Sequence, residues 1–281
     1  MLGRARNGLF RAIGLGEADK RERAHDDGMM VNTYSPEAME EILWMQFFDD
    51  LHDTGTSNVG TAKTDHPEFE SVYRQKLKKL LLCRRAERIV SKNNYHITHT
   101  AYLAKICADA RFVIAVRHPV DHIASIARQH QINLEQYSTP SALNYLRNAG
   151  HFEFGRGRIP IALAVDKTRC IQDLWDWGRK VEGWAEYRNA VYTCAREEVL
   201  QNEALAARCM VVPFEKICAT AQAKITDIIT FCNLDAADDW VDDWVAKIAY
   251  QPKYSVPFTA AERQMIMDIC GETAVHYGYH L

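Results

Sequence analysis

The chain has 281 residues, of which 47% are hydrophobic and 25% are charged, a balance typical of a globular protein with a sizeable core. Its formal net charge is −3 and its pI is about 6.4, so it lacks the strong basic excess of a nucleic-acid binder. A local basic pocket for an anion is still compatible with these values.

The N-terminal residues 1–23 are rich in Arg, Gly and Ala and lack the apolar core of a signal peptide. They predict either a short amphipathic helix or a partly ordered tail. We expect residues 24–281 to form a single domain. No apolar stretch reaches the roughly 18 residues that a membrane-spanning helix needs, so no membrane span is expected.

Cysteine usage indicates the redox environment. None of the cysteines forms a C-x-x-C pair, and most lie within apolar patterns. This favours free, buried thiols over a disulfide framework, and therefore a cytoplasmic protein. The eight cysteines are Cys83, Cys107, Cys170, Cys194, Cys209, Cys218, Cys232 and Cys270.

The first half of the chain alternates helical and strand patterns. Residues 35–51 predict a helix, because Ser35 can cap it and Pro36 suits its first position. The run RFVIAV predicts a strand that is buried on both faces, because it is continuously apolar. The remaining patterns predict helices over 66–86, 95–108 and 119–137, and strands over 88–92 and 111–116.

The second half continues the alternation. Glycines in 150–160 predict an irregular segment or a hairpin. The closing helix over 258–279 has a capping threonine followed three residues later by a glutamate. Strands that alternate with helices predict an α/β fold with a parallel sheet and helices on both faces. Further predictions are a helical region over 169–200 with Trp175, Trp177 and Trp184 packed inside, a strand over 209–214 and helices over 215–234.

Arg117 ends the predicted strand RFVIAV, and Pro119 opens the next helix. Ligands of such folds lie at the carboxyl ends of the strands, and a helix start offers free N–H groups and a positive dipole. Arg117 and Ser125, two helical turns further on, can therefore form a phosphate site. The alternative is that Arg117 pairs with a neighbouring carboxylate and that Ser125 fills the core.

Lys92 leaves the predicted strand over 88–92 and is followed by Asn93 and Asn94. An ammonium group at a strand end can neutralise charge on a transferring group, and the two amides can donate hydrogen bonds beside it. The alternative is an exposed strand end with a turn, which consecutive asparagines commonly mark.

The order of these motifs resembles the sulfotransferase superfamily, whose members use 3'-phosphoadenosine-5'-phosphosulfate (PAPS) as the sulfuryl donor. The segments that carry the resemblance are RIVSK, DARFVIAVRHPVDHIAS and MVVPFEKI, in this order. SPEAMEE at residues 35–41 further resembles a bacterial branch in which this segment opens a helix near the acceptor. The resemblance extends from about residue 20 to the C-terminus.

The resemblance implies roles for individual residues. Arg117 and Ser125 match the pair that grips the 3'-phosphate of PAPS, and Lys92 matches the strand-end lysine that contacts the sulfuryl region. Lys253 lies where relatives supply a late basic loop to the 3'-phosphate, although an exposed loop lysine is the commoner explanation. The implied fold is a P-loop-like parallel sheet flanked by helices, and the implied acceptor is a carbohydrate or small molecule.

One element of the family pattern is missing from this sequence. The family has an N-terminal strand and a loop of the type P-R-S-G-T-T that cradles the 5'-phosphosulfate, and RAIGLGEADK at residues 11–20 does not resemble it. Without this loop of backbone amides we expect weak donor binding and a truncated or inactive enzyme. We also expect that the neighbouring strands expose unpaired edges.

The reaction implied by the resemblance is in-line sulfuryl transfer without a metal, and it needs a base to accept the proton of the acceptor. Glu37, Glu40 and Glu41 are candidates, and Glu37 and Glu41 share one helical face. Alternatively, all three glutamates only complement the positive end of their helix. His118 and His122 are spaced as metal ligands on a helix, but no clear third ligand accompanies them.

Two other functions stay under consideration. The first is a non-catalytic remnant of the fold that binds a nucleotide or a protein. The second is a phosphotransferase, which is disfavoured because the sequence shows no G-x-x-x-x-G-K-[ST] loop. We therefore favour a PAPS-dependent sulfotransferase that acts on a hydroxyl or an amine, with no nucleic-acid partner.

Overall fold

The structure is a computed structural model that describes residues 21–22, 30–31, 40–236, 238–246, 248 and 258–280. Most of these residues are helical. Within them, no helix combines the length and apolarity required to cross a bilayer.

Four strands occur in the described residues. They are β1 (Arg21–Glu22), β2 (Met30–Val31), β3 (Phe112–Val116) and β4 (Cys209–Pro213). The helices of the first half are α1 (Glu40–Met45), α2 (Pro67–Arg84), α3 (His96–Ile106), α4 (Pro119–Gln136) and α5 (Pro140–Asn148). Those of the second half are α6 (Val165–Asp176), α7 (Lys180–Ala195), α8 (Glu203–Ala206), α9 (Phe214–Ala219), α10 (Ala221–Cys232), α11 (Asp238–Val245) and α12 (Ala260–His276). A π-helical turn, Arg196–Leu200, extends α7.

The strands pair in two separate sheets. β3 and β4 are parallel, with Phe112 opposite Cys209 and Val116 opposite Pro213. This confirms a mixed α/β fold with a small parallel sheet. β1 and β2 form a two-residue antiparallel ladder, with Arg21 opposite Val31 and Glu22 opposite Met30.

The prediction that the strand at 111–116 is buried on both faces is wrong. Ile114 and Val116 are buried, whereas 41% of Val113 is exposed. Burial alternates along β3, because one face packs against the hydrophobic core and the other is left open. In the described part of the chain, β4 is the strand that pairs with β3.

The predicted strand over 88–92 is also wrong, because these residues form no regular structure. Ile89 and Val90 have exposed fractions of 38% and 87%. A β-branched run becomes a strand only when another strand satisfies its backbone N–H and C=O groups. None does so here among the described residues.

The main hydrophobic core lies where α4, α7 and α12 pack together. Ile123 of α4, Trp184 of α7 and Ile266 of α12 are almost completely buried. Trp175 packs against Trp184 with ring centroids 4.5 Å apart. The prediction that Trp177 is also packed inside is wrong, since 71% of it is exposed beyond the end of α6.

Most of the helices predicted from local sequence patterns are present in the structure. The predicted capping box of α12 is present, since Thr259 accepts a hydrogen bond from the Glu262 N–H and the Glu262 carboxylate accepts one from the Thr259 N–H. By contrast, the helix predicted over 35–51 ends at Met45, and its predicted cap lies outside the described residues.

All eight cysteines are free thiols, as the sequence analysis expects. The expected burial holds only in part. Cys270 is buried, five cysteines are half-buried, and Cys83 and Cys170 are exposed.

Candidate active site

Arg117 lies at the carboxyl end of β3, immediately before the first residues of α4. Its guanidinium carbon is 5.1 Å from the centroid of the Phe214 ring. Its Nε is buried and, among the described residues, has no hydrogen-bond partner. No described carboxylate lies within ion-pair distance of Arg117, and Ser125 is half-buried on α4.

Glu215 joins the ends of the two parallel strands. Its Oε1 accepts a hydrogen bond from the His118 N–H at 2.9 Å, and its Oε2 accepts one from the Tyr279 hydroxyl at 2.6 Å. Since Glu215 follows β4 and His118 follows β3, the carboxylate holds both strand ends at one edge of the sheet. The only sequence signal for this role is its place in MVVPFEKI.

Arg188 of α7 is a site residue that no local sequence motif marks. It is only 2% exposed, and its Nη2 donates a hydrogen bond to the Arg117 carbonyl at 3.0 Å. Burial and the charges of Arg188 and Arg117 lower the pKa of His122 to about 3. His122 is therefore a neutral imidazole beside two guanidinium groups.

The segment around Lys92 is attached to α1. The Ser91 hydroxyl donates to Glu40, and the Asn93 amide donates to Glu41 Oε2 at 2.9 Å. Lys92 lies between these two anchored residues and is exposed. The structure therefore anchors the two residues that flank the predicted lysine to two of the three predicted glutamates, although the strand expected to present this lysine does not form.

Glu40 is the more strongly held of the two glutamates. It accepts a hydrogen bond from the Tyr73 hydroxyl and pairs with the His96 ring at 3.6 Å. Burial by itself raises its pKa, but His96 and the hydroxyls of Ser91 and Tyr73 outweigh this effect and lower the pKa to about 2. Such a carboxylate accepts a proton poorly near neutral pH.

Glu41 has a different environment. It is 3% exposed, and its Oε1 lies 2.9 Å from His52 Nε2. The His52 ring packs against Phe152, with ring centroids 4.3 Å apart. Glu41 and His52 form a carboxylate–imidazole pair, an arrangement that can accept and hold a proton.

A small cavity with a volume of about 100 Å³ lies on the loop that follows α5. Phe152 lines it and also packs on His52. The cavity is also lined by the apolar side chains of Leu143, Leu146 and Phe154 and by the cationic side chains of Arg147 and Arg156. The cavity therefore combines an apolar wall with two cationic groups.

α3 connects the Lys92 region with the Arg117 region. It begins at His96, shortly after Asn93, and its Ala101 and Ala104 pack in one cluster with Ile114 and Val116 of β3. Glu37 and Lys253, the two other predicted site residues, lie outside the described residues. Among the described residues, no group of three or more His, Cys, Asp or Glu side chains is arranged to hold a metal.

Comparison with protein-family models gives a match over residues 18–154, to the model described as the sulfotransferase family. Over these residues the chain is similar to the sulfotransferase family. The matched segment is just under half of the chain, and it indicates sulfuryl transfer as the general class of reaction. No curated protein and no solved structure matches the chain.

The segment that matches the sulfotransferase model contains Lys92, Glu41, Arg117 and Ser125. The residues that support the Arg117 turn come from the remainder of the chain, since Arg188 and Glu215 both lie beyond residue 154. The candidate site is therefore built from both halves of the sequence.

Proposed function

We propose that the protein transfers a sulfuryl group from PAPS to a hydroxyl or amine of a carbohydrate or small-molecule acceptor. The observation that carries this proposal is the attachment of Ser91 and Asn93 to Glu40 and Glu41. These contacts anchor the segment that carries the exposed Lys92 to two buried carboxylates, and sulfuryl transfer needs a cation and a base near the reacting atoms.

Arg117 and Ser125 are the proposed grip on the donor's 3'-phosphate. The unpartnered Nε of Arg117 suits a phosphate oxygen, and the start of the 18-residue helix α4 adds a positive dipole end. Lys253 stays a weaker candidate for the same phosphate.

Glu41 is the proposed base, in preference to Glu40, because its partner is an imidazole that can share the proton. In the proposed step the acceptor oxygen attacks the sulfur atom and its proton passes to Glu41. The bond between sulfur and the donor's bridging oxygen breaks, and adenosine 3',5'-bisphosphate leaves. Lys92 balances the charge that builds on the sulfuryl and leaving oxygens. Glu37 stays an alternative base.

The proposal is tested by transfer of labelled sulfate from PAPS to a panel of carbohydrate and small-molecule hydroxyls. Lys92→Met should lower kcat by about 100-fold, the usual cost of removing one group that stabilises transition-state charge. Lys79→Met, an exposed change on α2, is the matched control and should retain full activity. Transfer that is equally fast in the wild type and in Lys92→Met would contradict the role of Lys92.

A non-catalytic nucleotide-binding protein is the second candidate. It is favoured by the open face of β3 and by the irregular, exposed course of residues 88–92. Such a protein would bind adenosine 3',5'-bisphosphate through Arg117 without transferring sulfate to any acceptor.

A further inference from the structure

Arg188 combines deep burial with unused hydrogen-bond donors. It is 2% exposed, and its Nη2 donates to the Arg117 carbonyl. Its Nε and Nη1 are buried and, within the described residues, have no hydrogen-bond partner. The neighbouring Arg117 also has a buried Nε that no described residue accepts from. Two neighbouring guanidinium groups therefore have N–H donors without a described acceptor: two nitrogens of Arg188 and one of Arg117.

Arg188 has no described ion-pair partner, although the Glu215 carboxylate lies at the same turn. Among the described residues, no carboxylate forms an ion pair with it. Its guanidinium carbon lies 4.8 Å from the Tyr192 ring, and burial raises the pKa of that phenol. Burial likewise raises the pKa of the nearby Cys270 thiol to about 11, although the charge of Arg188 and its contact with the sulfur act in the opposite direction. Both groups are therefore neutral near pH 7.

Glu215, the carboxylate that holds the same turn, is already engaged. One of its oxygens accepts the His118 N–H and the other accepts the Tyr279 hydroxyl. These two contacts explain its position without any contribution from Arg188.

Arg208 shows what an arginine with a purely structural role looks like in this protein. Its Nε donates to the Ala110 carbonyl, its Nη1 to the Ala104 carbonyl and its Nη2 to the Cys107 carbonyl. All three of its nitrogens therefore have acceptors. Arg188 has a described acceptor for only one of its three side-chain nitrogens, although Arg188 is more deeply buried than Arg208.

A buried guanidinium without a partner is costly, and a bound anion removes that cost. The position of Arg188 suits an anion, because the carbonyl it holds belongs to the residue just before the start of α4. The start of this helix carries a positive partial charge. His122 on its first turns is neutral, and its buried Nδ1 has no described partner, so the ring adds a third polar group that can face the anion.

We infer that Arg188 is a second anion-binding arginine, which takes a phosphate monoester together with Arg117 at the start of α4. The inference deepens the proposed function, since the identity of this phosphate as the 3'-phosphate of PAPS rests on that function. Free inorganic phosphate has the same chemistry and is the other source of such an anion.

The test is isothermal titration calorimetry on the full chain with three ligands: inorganic phosphate, adenosine 5'-phosphate and adenosine 3',5'-bisphosphate. Arg188→Lys keeps the charge but loses the planar fork that grips two phosphate oxygens. It should weaken binding of the bisphosphate at least tenfold and leave binding of adenosine 5'-phosphate unchanged. Arg188→Met should abolish the contribution of the 3'-phosphate, and Arg188→Lys carries the test if the methionine variant does not fold.

Arg208→Lys is the matched control. It removes the fork of an arginine that binds only carbonyls, so it should lower thermal stability without changing the affinity for the bisphosphate. If Arg188→Lys binds the bisphosphate with wild-type affinity, the inference is overturned. It is overturned equally if the wild type binds neither inorganic phosphate nor the bisphosphate. Equal affinity for inorganic phosphate and the bisphosphate, both lost in Arg188→Lys, would support the site and assign it to free phosphate.

Sulfate transfer measured on the same variants separates the two proposals. Normal transfer with an unchanged donor KM in Arg188→Lys would contradict the second arginine and leave the proposed function standing. Phosphate binding that depends on Arg188, in a wild-type chain that transfers no sulfate to any acceptor, would support the anion site and contradict the proposed function.

Discussion

Glu40 and Glu41 are consecutive residues of α1, and their surroundings give them different chemistry. The pKa of Glu40 is lowered to about 2, because His96 and two hydroxyl groups outweigh the effect of burial. Glu41 instead pairs with His52 and accepts a hydrogen bond from Asn93. We therefore expect Glu40 to stabilise the fold and Glu41 to take part in proton transfer.

Glu40→Gln tests the structural half of this assignment. Because the pKa of Glu40 is lower in the folded state than the ordinary value of 4.5, its ionised form stabilises the fold above about pH 5, and this contribution is lost as the pH falls toward 2. The difference between the two pKa values corresponds to about 3 kcal/mol of unfolding free energy, which is fully lost only below about pH 2. Urea unfolding at pH 7 and pH 3 should show a smaller acid-induced loss of stability in Glu40→Gln than in the wild type.

Glu68→Gln is the control for this measurement, because Glu68 is exposed on the neighbouring helix α2. It should retain the wild-type difference between the two pH values. If Glu40→Gln loses as much stability in acid as the wild type does, the low pKa of Glu40 is refuted.

The loop that follows α5 approaches α1 very closely at Gly150. This residue has φ +75°, and a Cβ built on it would lie 2.7 Å from both Cβ and Cγ of Glu41. Two effects therefore require glycine at this position: a left-handed backbone and the absence of a side chain. The close approach keeps the Phe152 loop against the Glu41–His52 pair.

Gly150→Ala should lower the free energy of unfolding by more than about 2 kcal/mol and should reduce sulfate transfer, because the clash displaces Glu41. Two control variants separate the causes. Gly178→Ala has a similar φ of +80° but open space around it, so it should cost only about 1 kcal/mol. Gly157→Ala, with nothing within 4 Å and no positive φ, should be nearly neutral. Equal costs at Gly150 and Gly178 would argue against the contact with Glu41.

At the scale of the whole molecule, the two proposed functions differ in whether the chain transfers sulfate or only binds the nucleotide. β4 holds one edge of β3, and the expected family strand and phosphate loop have no counterpart in the described residues. The 3'-phosphate end of the donor has the better-defined candidate site, at Arg117. Binding at this end can persist even where transfer is slow.

We therefore predict that adenosine 3',5'-bisphosphate binds weakly and that Arg117→Ala lowers its affinity by at least about tenfold, since a charge-assisted contact is lost. Arg128→Ala, an exposed change further along α4, should leave the affinity unchanged. Calorimetry measures both. An Arg117→Ala variant that binds like the wild type would remove the basis for a donor site at the end of β3.

The elements that could be predicted from the sequence are those that depend on neighbouring residues. The strand at 112–116, the helix that starts at Pro119 and the capping box of α12 all follow from patterns within a few positions. Arg117 is predicted as a site residue in the same way, because it stands directly after the strand at 112–116.

Only the tertiary structure decided which of these patterns find partners. Residues 88–92 have a strand-like sequence and form no strand, because no strand pairs with them among the described residues. Asn93 is joined to Glu41 across 52 positions and Arg188 to Arg117 across 71 positions. Hydrogen-bond partners and burial depend on chain segments that meet only after folding, so local periodicity carries no information about them.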